Sequence, residues 1–168
     1  MVDFTGGTWR SLIDGSEVSA IPDTVVSRPD DDSTGNSENA DGVAIATSQE
    51  WVSIGAELSS KVGDGGTFPS RARLYDLSAD SFLDTIDISS LSAGDTFTFN
   101  DVNLEANSEY IISLDNDGNE YTRGILDASF PYTSGDGNLE IIAGSSDGTT
   151  KRDDFAFNIV KVGNVGFD

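Results

Sequence analysis

Apolar side chains recur at every second position along most of this chain, and no stretch carries them at helical spacing. Strands buried on one face produce that period and helices do not. In Asn107–Gly124, NSEYIISLDNDGNEYTRG, the residues Tyr110, Ile112 and Leu114 alternate with polar or smaller neighbours. Asn116-Asp117-Gly118-Asn119 then supplies side chains and a glycine that tolerate positive φ, so the chain reverses there, and Tyr121 and Arg123 begin a return strand. The expectation is a hairpin at the centre of a β-sandwich.

The same rhythm continues on both sides of it. Val43 and Ile45 lead to Val52, Ile54, Ala56 and Leu58, which alternate with Trp51, Ser53, Gly55 and Glu57. Ala72 and Leu74, Ile86 and Ile88, Phe97 and Phe99, Leu139 and Ile141, and Phe155, Phe157 and Ile159 repeat it. Turn chemistry falls every eight to twelve residues or so, which predicts an all-β fold: an antiparallel β-sandwich of jelly-roll type, or a related Greek key, of about eight to ten strands. A chain of 168 residues with nine Phe, two Trp and four Tyr can fill one such interior.

Three parts follow from composition. Residues 1–28 read as an N-terminal arm or small attachment hairpin, with an Asp14-Gly15 turn and with Pro22 and Pro29 opposing any central-strand role. Residues 29–42, PDDDSTGNSENADG, hold no large apolar side chain and read as an acidic linker or long surface loop; Asp30-Asp31-Asp32 is there a solvated charge run. Residues 43–168 form the sandwich.

Thirty Asp and Glu against nine Lys and Arg leave a formal charge of −21, with only three lysines. Self-repulsion of that size opposes a compact state in dilute buffer, but at 1 M salt the Debye length falls to about 3 Å and the repulsion is screened. The chain therefore reads as halophilic, an acidic mesophilic surface protein being the other reading. Without a basic patch, nucleic acid is not an expected partner. No apolar run approaches membrane-spanning length, so no membrane partner is expected. The amino terminus, MVDFTGGTWR, lacks a basic n-region with an apolar core, so release by lysis is one route by which the protein would reach the outside of a cell.

Cys and His are both absent, which removes disulfides, thiolate chemistry, Cys/His metal sites and any imidazole base. Serine activation would fall to one of three lysines, none in a nucleophile motif, and with 30 acids a pair of carboxylates carries no information about glycoside hydrolysis. A non-enzymatic role is expected and no cofactor is required. Gly63-Asp64-Gly65-Gly66 lacks the Lys and the helix of a phosphate cradle.

Two binding chemistries remain open. Asp115, Asp117 and Asn119 gather hard oxygen donors of the type Ca²⁺ takes, although the glycine and the twelfth residue do not fit the helix-loop-helix calcium pattern; a solvated acidic turn is the alternative. Trp51, on the polar side of its strand, and Tyr132, in a Phe130-Pro131-Tyr132 loop, are candidate sugar-stacking aromatics, with core or interface anchoring as the commoner use of such residues.

The run WRSLIDGSEVSAIPD, Trp9 to Asp23, resembles a short amino-terminal module of virion proteins of haloarchaeal tailed viruses. LSAGDTFTF, LEANSEYIISLD, EYTRG and FPYTS, between Leu91 and Ser134, are similar to a jelly-roll module of the tail, fibre and capsid-surface proteins of such particles. The resemblance implies a virion structural protein whose arm, with Trp9, Leu12, Ile13 and Ile21 as its partner-binding side chains, attaches to other virion proteins. It also implies a homo-oligomer and contact with host-surface glycans. The rival from another class is a secreted or cell-surface carbohydrate-binding module of a halophile, and a calcium-stabilised adhesin is a third reading.

Overall fold

The computed structural model describes residues 24–163, together with the backbone of three short strands before them: β1 (Val2–Thr5), β2 (Thr8–Ser11) and β3 (Glu17–Val18). Those three make an antiparallel sheet of their own, ordered β1-β2-β3, with Trp9 opposite Val18. Leu12, Ile13 and Ile21 lie outside the described residues, and of Trp9 only the backbone in β2 is described.

Thirteen further strands follow: β4 (Val25–Ser27), β5 (Ser33–Ser37), β6 (Asp41–Thr47), β7 (Trp51–Leu58), β8 (Arg71–Asp76), β9 (Ser81–Asp87), β10 (Thr96–Leu104), β11 (Ser108–Asp115), β12 (Tyr121–Asp127), β13 (Tyr132–Thr133), β14 (Leu139–Ser145), β15 (Phe155–Phe157) and β16 (Ile159–Gly163). All ladders are antiparallel, and there is no helix among the described residues. A six-stranded sheet runs β13-β14-β6-β11-β8-β9, a four-stranded sheet β10-β7-β16-β4, and a three-stranded sheet β15-β12-β5.

The alternating residues decide how the sheets meet. Val43, Ile45, Leu74, Tyr110, Ile112, Leu114, Leu139 and Ile141 of the six-stranded sheet share one core with Ile54, Ala56, Leu58, Phe97, Phe99, Ile159 and Val162 of the four-stranded sheet. Each large side chain so buried contributes about 1.5–3 kcal/mol relative to exposure, and this sets the two sheets face to face. Pairing nests outward from one hairpin: β8 with β9, β7 with β10, β6 with β11, β5 with β12.

Four expectations need correction. β11 and β12 do not pair, because β6 and β8 already occupy both edges of β11; the turn at Asp117 (φ 55°) and Gly118 (φ 77°) instead carries the chain into the three-stranded sheet. The supposed linker 29–42 contains β5, which hydrogen-bonds along β12, and buries both Asp31 and Asp41. Backbone pairing and charge, not apolar surface, hold it. Nor does an arm extend to residue 28, since β4 pairs with β16 and Val26 lies in the core.

The fourth concerns Trp51, which is 5% exposed and part of the core, whereas Val52 is 75% exposed. The cause is a bulge in the partner strand. Asn100 faces Ser53 but Leu104 faces Trp51, and Asp101, at φ 56°, takes the left-handed conformation inside the extra loop. Over this stretch β10 advances four residues while β7 advances two, and the inward set changes phase in both strands, from Phe99 to Val102 and Leu104 in one and from Ile54 to Trp51 in the other.

Candidate functional site

Polar side chains concentrate where the three-stranded sheet joins the other two, and one asparagine organises them. Asn158 separates β15 from β16 and holds φ at 62°, a conformation asparagine tolerates better than most residues. Its Oδ1 accepts from Gly124 N (3.0 Å), while its Nδ2 donates to Asp41 O (2.9 Å) and to the Tyr121 hydroxyl (3.2 Å). The Asn158 N–H donates to Asp31 Oδ2 at 3.1 Å.

Two ion pairs complete this hub. Arg28 Nη2 lies 2.8 Å from Asp31 Oδ1 with both side chains fully shielded, and Arg123 Nη1 lies 2.6 Å from Asp41 Oδ1. The Tyr121 hydroxyl sits 3.0 Å from Asp41 Oδ2 and 2.9 Å from Leu114 O. Gly124 is required beside them: a Cβ there would stand 2.1 Å from Asp31 Oδ2. Burial pushes the Asp31 and Asp41 carboxyls up despite their arginines, and raises the Tyr121 hydroxyl well above its usual range. The folded protein thus holds the two carboxyl protons more tightly than the unfolded chain does. Their contribution to stability therefore grows as pH falls from neutrality towards the ordinary carboxylate range, the reverse of a salt-bridged surface aspartate.

The carboxylate cluster at 115–119 is differently employed. Asp115 is 3% exposed; its Oδ1 lies 2.8 Å from Arg71 Nε and 2.7 Å from Arg71 Nη2, and its Oδ2 lies 2.6 Å from Arg73 Nε. Asp117 pairs with Arg71 Nη1 at 2.7 Å, and the Asn119 amide donates to Asn116 O at 3.0 Å. A bound cation would have to displace or face two guanidinium groups. Among the described residues no set of three or more acids is arranged to hold a metal ion.

Of the candidate aromatics, Trp51 lies in the core and Tyr132 is half-buried against it, its ring edge-on to Phe130 at 5.8 Å. Next to that pair Phe130, Pro131 and Ile142, with Glu140 and Asp153, line a surface groove of about 330 Å³. Glu140 also lines a second groove, of about 260 Å³, with Ala46, Ser48, Asn107, Glu109 and Asn138.

No protein-family model matches the chain, and no curated protein matches it. The hub and the grooves therefore have to be read from their own chemistry. Sequence reasoning missed both. Asn158 carries no mark beyond its place between two alternating strands, and although Arg28 and Asp31 are only three residues apart, Arg123 and Asn158 lie more than eighty residues from the 28–41 segment they meet. Glu109 and Glu140 did carry a signal, because each sits out of phase with the inward residues of its strand.

Proposed function

We propose that the chain is a non-enzymatic structural component of a virus particle that works at high salt, at the capsid surface or in a tail or fibre. In this reading the sandwich is a jelly roll and the N-terminal sheet is the attachment module. The observation that carries it is the nested pairing β5·β12, β6·β11, β7·β10, β8·β9, the pattern of one long hairpin rolled into two facing sheets. β15 and β16 lie between β12 and β7 in that scheme. A fold of this kind suits a repeated rigid part, and fold alone does not confer catalysis.

Charge supports the high-salt half of the reading. Each of the eight basic side chains after Arg10 has an acidic partner: Arg28, Lys61, Arg71, Arg73, Arg123, Lys151, Arg152 and Lys161. With a net −21, the carboxylates beyond these pairs face one another through solvent, and molar salt relieves that repulsion.

The attachment role is tested by removing residues 1–23. The cut belongs before Thr24, whose hydroxyl donates to Asp136 and whose successors form β4 against β16. In cells producing particles, the shortened chain is expected to fold with an unchanged thermal midpoint in 2 M KCl and to be lost from purified particles. Incorporation at the full-length level would remove the N-terminal sheet as the anchor.

A further inference from the structure

The outer face of the six-stranded sheet contains a trough that follows from its register. Ala46 of β6 stands opposite Glu109 of β11 on one side and opposite Glu140 of β14 on the other. Neighbouring strands lie about 4.8 Å apart, so the two glutamates flank a methyl group across about 10 Å. A small side chain between two long ones leaves a floor with two walls, and Ser48, Asn107 and Asn138 close one end. At the Glu140 wall the trough adjoins the groove whose apolar surface is Phe130, Pro131 and Ile142.

The polar groups along it are oriented by the protein itself. Thr133 Oγ1 donates to Glu140 Oε1 at 2.9 Å, and Lys151 Nζ donates to Glu109 Oε2 at 2.7 Å. Ser48 Oγ donates to Asn138 Oδ1 at 2.9 Å, while Asn138 Nδ2 donates to Asp136 Oδ2 at 3.0 Å. Phe130 is steadied by its edge-on contact with Tyr132. Groups fixed in this way lose little freedom when a ligand arrives.

We propose that the paired grooves bind a neutral hexose oligosaccharide. One sugar ring lays its C–H face on Phe130, Pro131 and Ile142 and donates hydroxyl hydrogens to Glu140; the next lies over Ala46 and donates to Glu109 and Asn138. Carboxylates that each keep one oxygen for a ligand match vicinal hydroxyls, and Glu140 and Asp153 oppose an anionic ligand, the charge of Glu109 being offset by Lys151. A partner held by charge alone would be released at molar salt, whereas oriented hydrogen bonds and apolar contact persist there. The site stands independently of the particle reading, since a structural part and a secreted module could each carry it.

The test is a calorimetric titration of the full chain in 2 M KCl with a panel of neutral α- and β-linked hexose trisaccharides, and with a lysine-rich peptide as the rival ligand. At least one trisaccharide is expected to bind saturably. Ala46→Leu, which fills the trough, and Glu140→Ala, which removes the shared wall, are each expected to weaken it at least tenfold with the thermal midpoint kept. The proposal fails if no trisaccharide saturates by 50 mM, if binding survives both variants, or if only the peptide binds.

Discussion

Asp31→Ala lowers the free energy of unfolding by about 3–5 kcal/mol, because the Arg28 guanidinium is left charged and shielded without its partner. The Asn158 N–H loses its acceptor in the same step, and with it one of the contacts that tie the 24–41 segment to the β15–β16 junction. Replacing both partners, with Arg28→Met and Asp31→Leu together, is expected to restore a large part of the loss, since no uncompensated charge remains. Urea unfolding of the three proteins at fixed salt and pH 7 measures this. A single variant within 1 kcal/mol of the parent would mean that residues 28–31 are solvated, as a linker would be.

Trp51→Ala is expected to cost about 3–5 kcal/mol, the range for emptying an aromatic side chain's volume from a core. The indole N–H is buried with no acceptor among the described residues, so Trp51→Phe, which keeps much of the bulk and removes that donor, is expected to cost far less. Neither substitution touches the outer face of the six-stranded sheet, and sugar binding there should be unchanged when measured on the folded fraction. Loss of binding with unaltered stability would return Trp51 to the surface role that its alternation predicts.

These two residues show what was legible in the sequence. Period-two alternation identified most of the strands, their antiparallel class and most of the core, because inward-facing positions such as Ile54, Phe99, Ile112 and Ile141 announce themselves by spacing; it missed the polar β5 and the two-residue β13, so thirteen strands follow residue 24 where about eight to ten were expected. It erred at Trp51, where a bulge in a distant strand resets the phase, and partner strands are not encoded locally. The reversal at Asn116–Asn119 was likewise visible from its turn residues, but the destination of β12 depended on β6 and β8 having taken both edges of β11.

The segment 29–42 failed for a different reason. Its composition offers no apolar burial, so it reads as solvated chain, yet Asp31 and Asp41 are buried by pairing with Arg28 and Arg123. Charge pairing over 82 residues, as between Asp41 and Arg123, leaves no local trace. The 115–119 cluster is the converse case: its carboxylates were evident, and the two arginines beside Asp115 that take up their charge were not read as partners.

The most direct measurement for the proposed role is a quantitative protein inventory of purified particles from a high-salt culture that produces this chain. The account predicts the chain at a fixed copy number per particle, retained through density-gradient purification in molar salt. Its presence only in cell envelopes or free medium, with particles devoid of it, would contradict a virion role.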